Sequence, residues 1–314
     1  MAARRHRVTL RTRFAPSPTG DLHLGGAWTA LASWVLALRS AGTCVLRIED
    51  IDRPRVVPGS QARIEADLRW LGLDFDAGPV VQSGRTALYE DALARLVGAG
   101  LVYPCDCSRA EIARVASAPH EGEDVVYPGH CRTRDPARLM KRPPALRVRV
   151  ADEVISFDDQ VFGGVAQDLA RSVGDFVLRR ADGVFSYQLA VVVDDLAMGI
   201  TDVVRGADLL SSTPRQIWLA RALGERPPRY AHVPLVVGEG GARLEKRTPG
   251  AIVRRLREAG IPASRVVGEL AHGLGLAPSS APTTALELAH ASASRELAWR
   301  RESWPIPASL RTGG

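Results

Sequence analysis

The apolar positions of this chain follow two rhythms, and their alternation lays out an α/β protein. Val8 to Phe14 alternates apolar and polar residues as a half-buried strand does. Two prolines and a glycine then force a turn, and Gly25-Gly26 opens a helix expected from about Gly26 to Arg39. That helix is apolar almost all round, at Trp28, Leu31, Trp34, Val35 and Leu38, as suits one packed on a parallel sheet. Gly42 ends it, and Thr43 to Ile48 reads as the next strand, with Cys44 in the core, closing a βαβ-like opening. Two amphipathic helices are expected at 60–71 and 84–97, capped near Ser60 and Ser83 and ended by Gly72 and Gly98.

Further along, Leu146-Val148-Val150 and Val154-Ile155-Phe157 predict a small β-rich insertion between Pro143 and Val177. Val191 to Asp195 and Ile200 to Gly206 are expected to return to the main sheet. Thr213 as N-cap and Pro214 at the first helical position start a helix running to Leu223, with Gly224 after it. His232 to Val237 reads as the last buried strand. After Pro249 the pattern is helical, at 251–259, 264–274 and more weakly after Thr283, and predicts a small helical appendage with a loose tail.

A length of 314 residues allows one large α/β domain with insertions, or two domains, and a sizeable core. Hydrophobic content of 46% and charged content of 24% are those of an ordinary globular protein. A net charge of +6 and a pI near 9.5 are compatible with a polyanion such as RNA, though a modest basic excess is common without one. Four unevenly placed cysteines make a poor disulfide framework, so a reducing cytoplasm is the expected location. The apolar run from Leu22 to Leu38 is broken by His, Gly, Thr and Ser and falls short of the ~20 residues that span a bilayer. No membrane partner is expected, and no internal repeat is visible.

Three stretches carry candidate chemistry. Between the first strand and helix, the helix start offers unpaired N–H groups and a positive dipole end, where a phosphate can sit with His23 beside it as a donor. Gly25 and Gly26 leave room for a ligand against the backbone. Plain strand-to-helix turns share this composition. At the carboxyl end of the second strand lies Glu49-Asp50-Ile51-Asp52, placed where open α/β sheets bind ligands and able to meet a cation; Asp52 reads as a solvated turn residue. Finally, Cys105, Cys107 and Cys131 fall within 27 residues. Thiolates so grouped bind metal, and zinc takes four ligands, leaving Tyr127 or His130 for the fourth. Ligand chemistry alone favours His130, since imidazole is a far commoner zinc ligand than phenolate.

Arg13-Phe14-Ala15-Pro16-Ser17-Pro18-Thr19-Gly20 followed by His23-Leu24-Gly25-Gly26 resembles the HIGH-motif region of class I glutamyl- and glutaminyl-tRNA synthetases. Arg47-Ile48-Glu49-Asp50-Ile51-Asp52 resembles the glutamyl enzymes' Arg-Ile-Glu-Asp-Thr-Asp, with Ile51 in place of threonine. Tyr187 to Ala190 matches a Tyr-x-Leu-Ala stretch, Val203-Val204-Arg205-Gly206 a Val-Ile-Arg-Gly, and Arg243 to Arg247 the KMSKS signature, with Glu245 replacing its serine. The resemblance covers roughly residues 8 to 260. It implies an α/β fold, a class I aminoacyl-tRNA synthetase Rossmann-type parallel sheet with a zinc-containing insertion and a short C-terminal helical appendage. The implied parts are a catalytic first half at 1–103, the insertion at 104–190, a second half with the KMSKS-like loop at 191–247, and an appendage at 248–314 without an anticodon-binding domain.

The resemblance also implies roles. Arg13, Ala15, Ser17, Glu49, Tyr187 and Arg205 would bind glutamate, with Glu49 on the α-ammonium. Pro16, His23, Gly25, Gly26 and Lys246 would bind ATP with Mg²⁺, His23 and Lys246 being catalytic. Lys246 is one of only two lysines, against 39 arginines, which favours a role of its own. Glu245 would repel triphosphate unless it points away. The truncated paralogues of the family place Zn²⁺ on Cys-x-Cys and Tyr-x-x-x-Cys, which implies Tyr127 as the fourth ligand. They would activate L-glutamate and attach it to the queuosine base in the anticodon of tRNA(Asp), and a monomer is expected. A minimal synthetase charging tRNA 3' ends, an adenylyltransferase with another acceptor, and a catalytically dead binding protein remain alternatives.

Overall fold

The computed structural model describes residues 9–108, 110–112, 126–135, 137–238, 241 and 252–311. β1 (Arg11–Phe14) leads into α1 (Leu24–Leu38), β2 (Thr43–Ile48), α2 (Ser60–Trp70), β3 (Ala77–Val81) and α3 (Thr86–Gly98). β1 and β3 flank β2 in a parallel sheet. For β1, α1, β2, α2 and α3 the expected bounds hold to within three residues at each end. The reasons given for Gly42 and Ser60 change. After α1 the left-handed residue is Ala41, at φ 50°, while a Cβ on Gly42 would lie 2.2 Å from the Leu10 carbonyl oxygen, so Gly42 is required by the close pass of β1. Ser60 is not the cap of α2, which is Gly59 at φ 73°; its hydroxyl instead bonds the Gly20 carbonyl in the turn after β1.

β4 (Val102–Cys105), β5 (Ala145–Val148) and β8 (Val177–Arg179) form a separate antiparallel sheet. The hairpin β6 (Val154–Asp159) and β7 (Gly163–Asp168) was expected within the same β-rich part, but β6 joins β10 (Arg229–Val233) through Tyr230 opposite Asp159. β10 pairs in parallel with β9 (Asp202–Gly206). β9 runs beside β1, tied by Thr201 N–H to the Arg11 carbonyl at 2.9 Å and by Arg11 N–H to the Thr201 hydroxyl at 2.8 Å. The strands thus read β3-β2-β1 against β9-β10-β6-β7, with the order reversing at the seam between β1 and β9. In open α/β sheets a cleft lies outside the carboxyl ends of the strands at such a reversal.

Both faces are covered, as parallel strands require. Phe14, Leu46, Val204 and Val233 pack with α1 on one face, and Val203 and Tyr230 with α3 on the other. After α4 (Leu169–Ser172), Val191 to Asp195 is not a strand but the middle of α5 (Tyr187–Ala197). Ser186 caps it by accepting from Leu189 N–H, and burial of Leu189, Ala190, Val192 and Val193 against that second core outweighs the β preference of the valine run. α6 (Thr213–Ala222) carries Pro214 in its first turn, but Ser212 holds the cap position and the Thr213 hydroxyl is spent elsewhere.

The last part is not loose. α7 (Val253–Glu258), α8 (Ala263–Leu274) and α9 (Ala285–Ser292) are followed by β12 (Trp304–Pro305), which pairs in parallel with β11 (Val236–Val237). Trp304 stacks on Trp28 of α1 with ring centres 5.0 Å apart. A Cβ on Gly273 would come within 2.7 Å of both indoles, so glycine there makes room for the pair. α9 starts on a full capping box between Thr284 and Glu287.

Asp67 on α2 is fully buried, and among the described residues neither carboxylate oxygen has a hydrogen-bond partner; Arg257 Nη1 stands 3.3 Å away. Burial outweighs that arginine and pushes the carboxyl up to about 6. The folded chain therefore holds this proton more tightly than the unfolded one, and ionisation costs stability as pH rises through 6. Asp67→Asn is expected to raise the thermal midpoint at pH 8 by roughly a few degrees, with the gain closing by pH 4. Melting curves at the two pH values check this.

Candidate active site

The turn after β1 delivers His23 as the N-cap of α1. Its Nδ1 accepts from Gly26 N–H at 3.1 Å, which puts the proton of the neutral ring on Nε2. The ring folds over Gly25, where a Cβ would meet Nδ1 at 3.1 Å; a Cβ on Gly26 would press on the Leu22 side chain at 2.7 Å. Both glycines thus serve the cap and its packing. His23 also pairs as an isolated antiparallel bridge with Ile252, and Val253 N–H bonds the Leu22 carbonyl at 2.9 Å. The chain that follows Lys246 therefore returns beside His23, while Arg243, Glu245, Lys246 and Arg247 themselves lie outside the described residues.

At the seam, charges are stacked in depth. Arg13 on β1 gives Nε to Asp195 at 3.0 Å and Nη1 to the Val204 carbonyl at 3.3 Å. Arg47, fully buried on β2, gives Nη1 to the same Asp195 oxygen at 2.6 Å and Nη2 to Glu49 at 3.0 Å. Asp194 accepts from Gln82 at 2.7 Å, Tyr89 at 2.9 Å and Arg85 at 2.5 Å. Burial would raise the Asp195 carboxyl, but Arg13 and Arg47 outweigh it and hold it below the ordinary range. At Glu49 burial wins over Arg47 and Arg13, and its carboxyl lies above the ordinary range. Glu49 thus needs a further cation to be comfortable as an anion.

Arg205, at the carboxyl end of β9, is held on every side. Nε bonds His232 Nε2 at 3.0 Å, Nη1 bonds Gln216 at 2.7 Å and Tyr187 Oη at 3.4 Å, and Nη2 bonds Thr213 at 2.7 Å and the Leu209 carbonyl at 3.3 Å. His232 can accept only if its proton is on Nδ1, which faces Asp159 at 2.6 Å. Burial and the Arg205 charge keep that imidazole neutral, lowering its pKa against the pull of Asp159. All five N–H groups of the guanidinium the resemblance assigns to glutamate thus have protein partners.

Ser17, Glu49 and Tyr187 line one cleft of about 760 Å³, together with Cys107 and Arg147 from the inserted part. Arg13 and Arg205 are not among the residues lining this cleft: Arg13 connects to Glu49 through Asp195 and Arg47, and Arg205 bonds the lining residue Tyr187, while His23, Gly25 and Gly26 also stand outside its walls. Ala15 is half-buried, and the Pro16 carbonyl accepts from Glu49 N–H at 3.0 Å, tying the two motif loops together.

Beside the cleft, whose wall includes Cys107, the thiols of Cys105, Cys107 and Cys131 lie within 4.8 Å of one another and could hold a metal ion. Cys107 and Cys131 sulfurs are 3.6 Å apart, near the ~3.8 Å that tetrahedral ligation with ~2.3 Å bonds requires. Tyr127 Oη sits 3.3 Å from the Cys105 sulfur and 3.9 Å from that of Cys107, whereas His130 is exposed. Gly174, at φ 67°, lets the Tyr127 backbone pass, since a Cβ there would be 2.7 Å from its carbonyl oxygen. Sequence reasoning missed Arg47, Asp159, Asp194, Asp195 and His232. Paired carboxylates behind a valine run and an arginine inside an apolar strand were the available signals, because such charges are rarely buried unpaired.

The family model described as tRNA synthetases class I (E and Q), catalytic domain, matches residues 9–284. A glutamyl-Q tRNA(Asp) synthetase of Geobacter sulfurreducens is 50% identical over 288 residues, covering 91% of this chain and 89% of the relative. Proteins of the same name from Nitratidesulfovibrio vulgaris and Burkholderia cenocepacia are each 49% identical, over 87% and 94% of this chain and 89% and 97% of their own lengths. Among solved structures, a glutamate tRNA ligase from Elizabethkingia meningosepticum in complex with its amino acid superposes with a TM-score of 0.82 at 27% identity, over 96% of this chain and 68% of that one. With the strand reversal at β1 and β9 and the His23 turn in place, the chain belongs to the class I tRNA synthetases of the glutamate and glutamine type, and is a ligase of that family.

Proposed function

We propose that this chain activates L-glutamate with ATP and transfers it to the queuosine base of tRNA(Asp). The observation that carries the reading is the set of relatives near 50% identity over about 90% of the chain, all named for that reaction. The site chemistry agrees with it. Glutamate brings one ammonium and two carboxylates, and the cleft offers Glu49 for the first and the arginines behind it for the others. A carboxylate displacing the two longest bonds of Arg205, to Tyr187 and Leu209, would leave Gln216, Thr213 and His232 holding the guanidinium. Arg13 contributes Nη2, which no hydrogen bond engages among the described residues.

In the first step a carboxylate oxygen of glutamate bonds the α-phosphorus of ATP and pyrophosphate leaves. In the second, the acceptor attacks the glutamyl carbonyl and AMP leaves. No side chain need act as nucleophile, so the protein positions and neutralises charge, with His23 Nε2–H and Lys246 directed at phosphate and Mg²⁺ travelling with ATP. Zn²⁺ on Cys105, Cys107, Tyr127 and Cys131 would tie the inserted loops together. Tyr127 is preferred over His130 because its oxygen already stands among the sulfurs.

Glu49 gives a pH test. Its raised pKa means that protonation sets in at a less acid pH than for an ordinary glutamate, and a protonated Glu49 cannot attract an ammonium. The KM for glutamate in pyrophosphate exchange is expected to rise as pH falls from 8 to 5.5, and Glu49→Gln to have a uniformly high KM without that slope. A wild-type KM flat across the range would count against the ammonium role.

The acceptor is tested by transfer of labelled glutamate, with ATP, to tRNA from queuosine-replete and queuosine-deficient cells. Label in the replete pool alone supports the proposal. Label in both pools makes this a synthetase charging tRNA 3' ends.

A further inference from the structure

Arg147 stands where the thiol cluster and the cleft meet, beside Cys107 of that cluster on the cleft wall. It lies on β5, paired across the small sheet with Tyr103 on β4 and Val177 on β8. Its guanidinium carbon sits 3.9 Å above the centre of the Tyr127 ring, and Nη1 donates to the Asp175 carbonyl at 2.7 Å. Nε is buried and, among the described residues, has no hydrogen-bond partner. The same side chain lines the cleft that Glu49 and Tyr187 line, with Cys107 and Ile112 beside it. A flat cation stacked on an aromatic face takes its position from that face.

We propose that Arg147 is a positioning residue through which the metal-binding cluster shapes the acceptor end of the cleft. The metal would fix the Tyr127 ring, the ring fixes the Arg147 guanidinium, and the guanidinium presents a fixed positive charge to the polyanionic acceptor. Glutamate activation is assigned to Glu49, Arg205 and the His23 turn, and among the described residues no hydrogen bond joins Arg147 to any of them. The inference rests on the reading of the cleft as a glutamyl-transfer site.

Arg147→Met keeps the apolar stem and removes the charge and the flat face. Its expected signature is pyrophosphate exchange within twofold of wild type, a KM for tRNA raised ~10-fold with little change in kcat, and weaker zinc retention in a competition titration with a chromogenic chelator, consistent with the 10–100-fold scale of losses around metal ligands. Arg147→Lys, which keeps the charge without the flat face, should fall between the two. Stripping zinc from the wild-type protein should raise the KM for tRNA similarly, and stripping it from Arg147→Met should add less than twofold, because both act through one contact. Additive losses, an equal loss of exchange in Arg147→Met, or a protein that neither carries nor takes up zinc would overturn the proposal. A wild-type chain that exchanges pyrophosphate but labels no tRNA would instead overturn the transfer reading on which it rests.

Discussion

Arg205→Met is expected to reduce glutamate-dependent pyrophosphate exchange by ~10³-fold in kcat/KM, the scale of removing one partner from a buried charge pair. Five bonds from five different residues hold the guanidinium before any substrate arrives. The arginine therefore pays no conformational entropy on binding a carboxylate, and its charge already lies in a buried, low-dielectric setting. Methionine fills similar volume and leaves the apolar packing around Tyr230 in place. Arg205→Lys should recover little, because one ammonium cannot reach His232, Gln216, Thr213 and a ligand together. Exchange within tenfold of wild type in Arg205→Met, from protein that melts normally, would show that this arginine serves the scaffold alone.

Asp195→Asn is expected to be the most destabilising single change at the seam, by about 3–5 kcal/mol, because it leaves two buried guanidiniums without their shared anion. One oxygen of Asp195 accepts from both Arg13 and Arg47, and a neutral amide cannot balance two charges. The folded chain holds this carboxyl below its ordinary pKa, so its contribution is present above the unfolded value near 4 and is lost as pH falls through the folded one. The difference in urea unfolding free energy between wild type and variant should be level from pH 5 to 8 and shrink below pH 4. A loss under 1 kcal/mol at pH 7 would contradict this account.

Much of this was legible in the chain because local signals and tertiary demands agree. The first βαβ unit is apolar enough to read directly, and the motif turn, the acidic strand end and the cysteine cluster all announce themselves by residue type. What was hidden depends on partners far away in sequence. Val191 to Val193 look like a strand until Ser186 caps the helix and the second core buries it. Thr213 looks like a cap until Arg205 takes its hydroxyl. Asp159 and His232 are 73 residues apart, and nothing near either one hints that together they fix the orientation of Arg205. The covering of α1 by Trp304 is likewise a pairing across most of the chain.

The seam between β1 and β9 has an evolutionary consequence. Few backbone bonds join the two half-sheets there, and Arg13, Arg47 and Asp195 do much of the joining. The same residues stand directly behind the cleft that Glu49 lines. A drift in substrate preference that altered these charges would loosen the fold at its weakest line. New specificities should therefore arise at the periphery, as on the inserted strand β5 that carries Arg147, rather than at the charged seam.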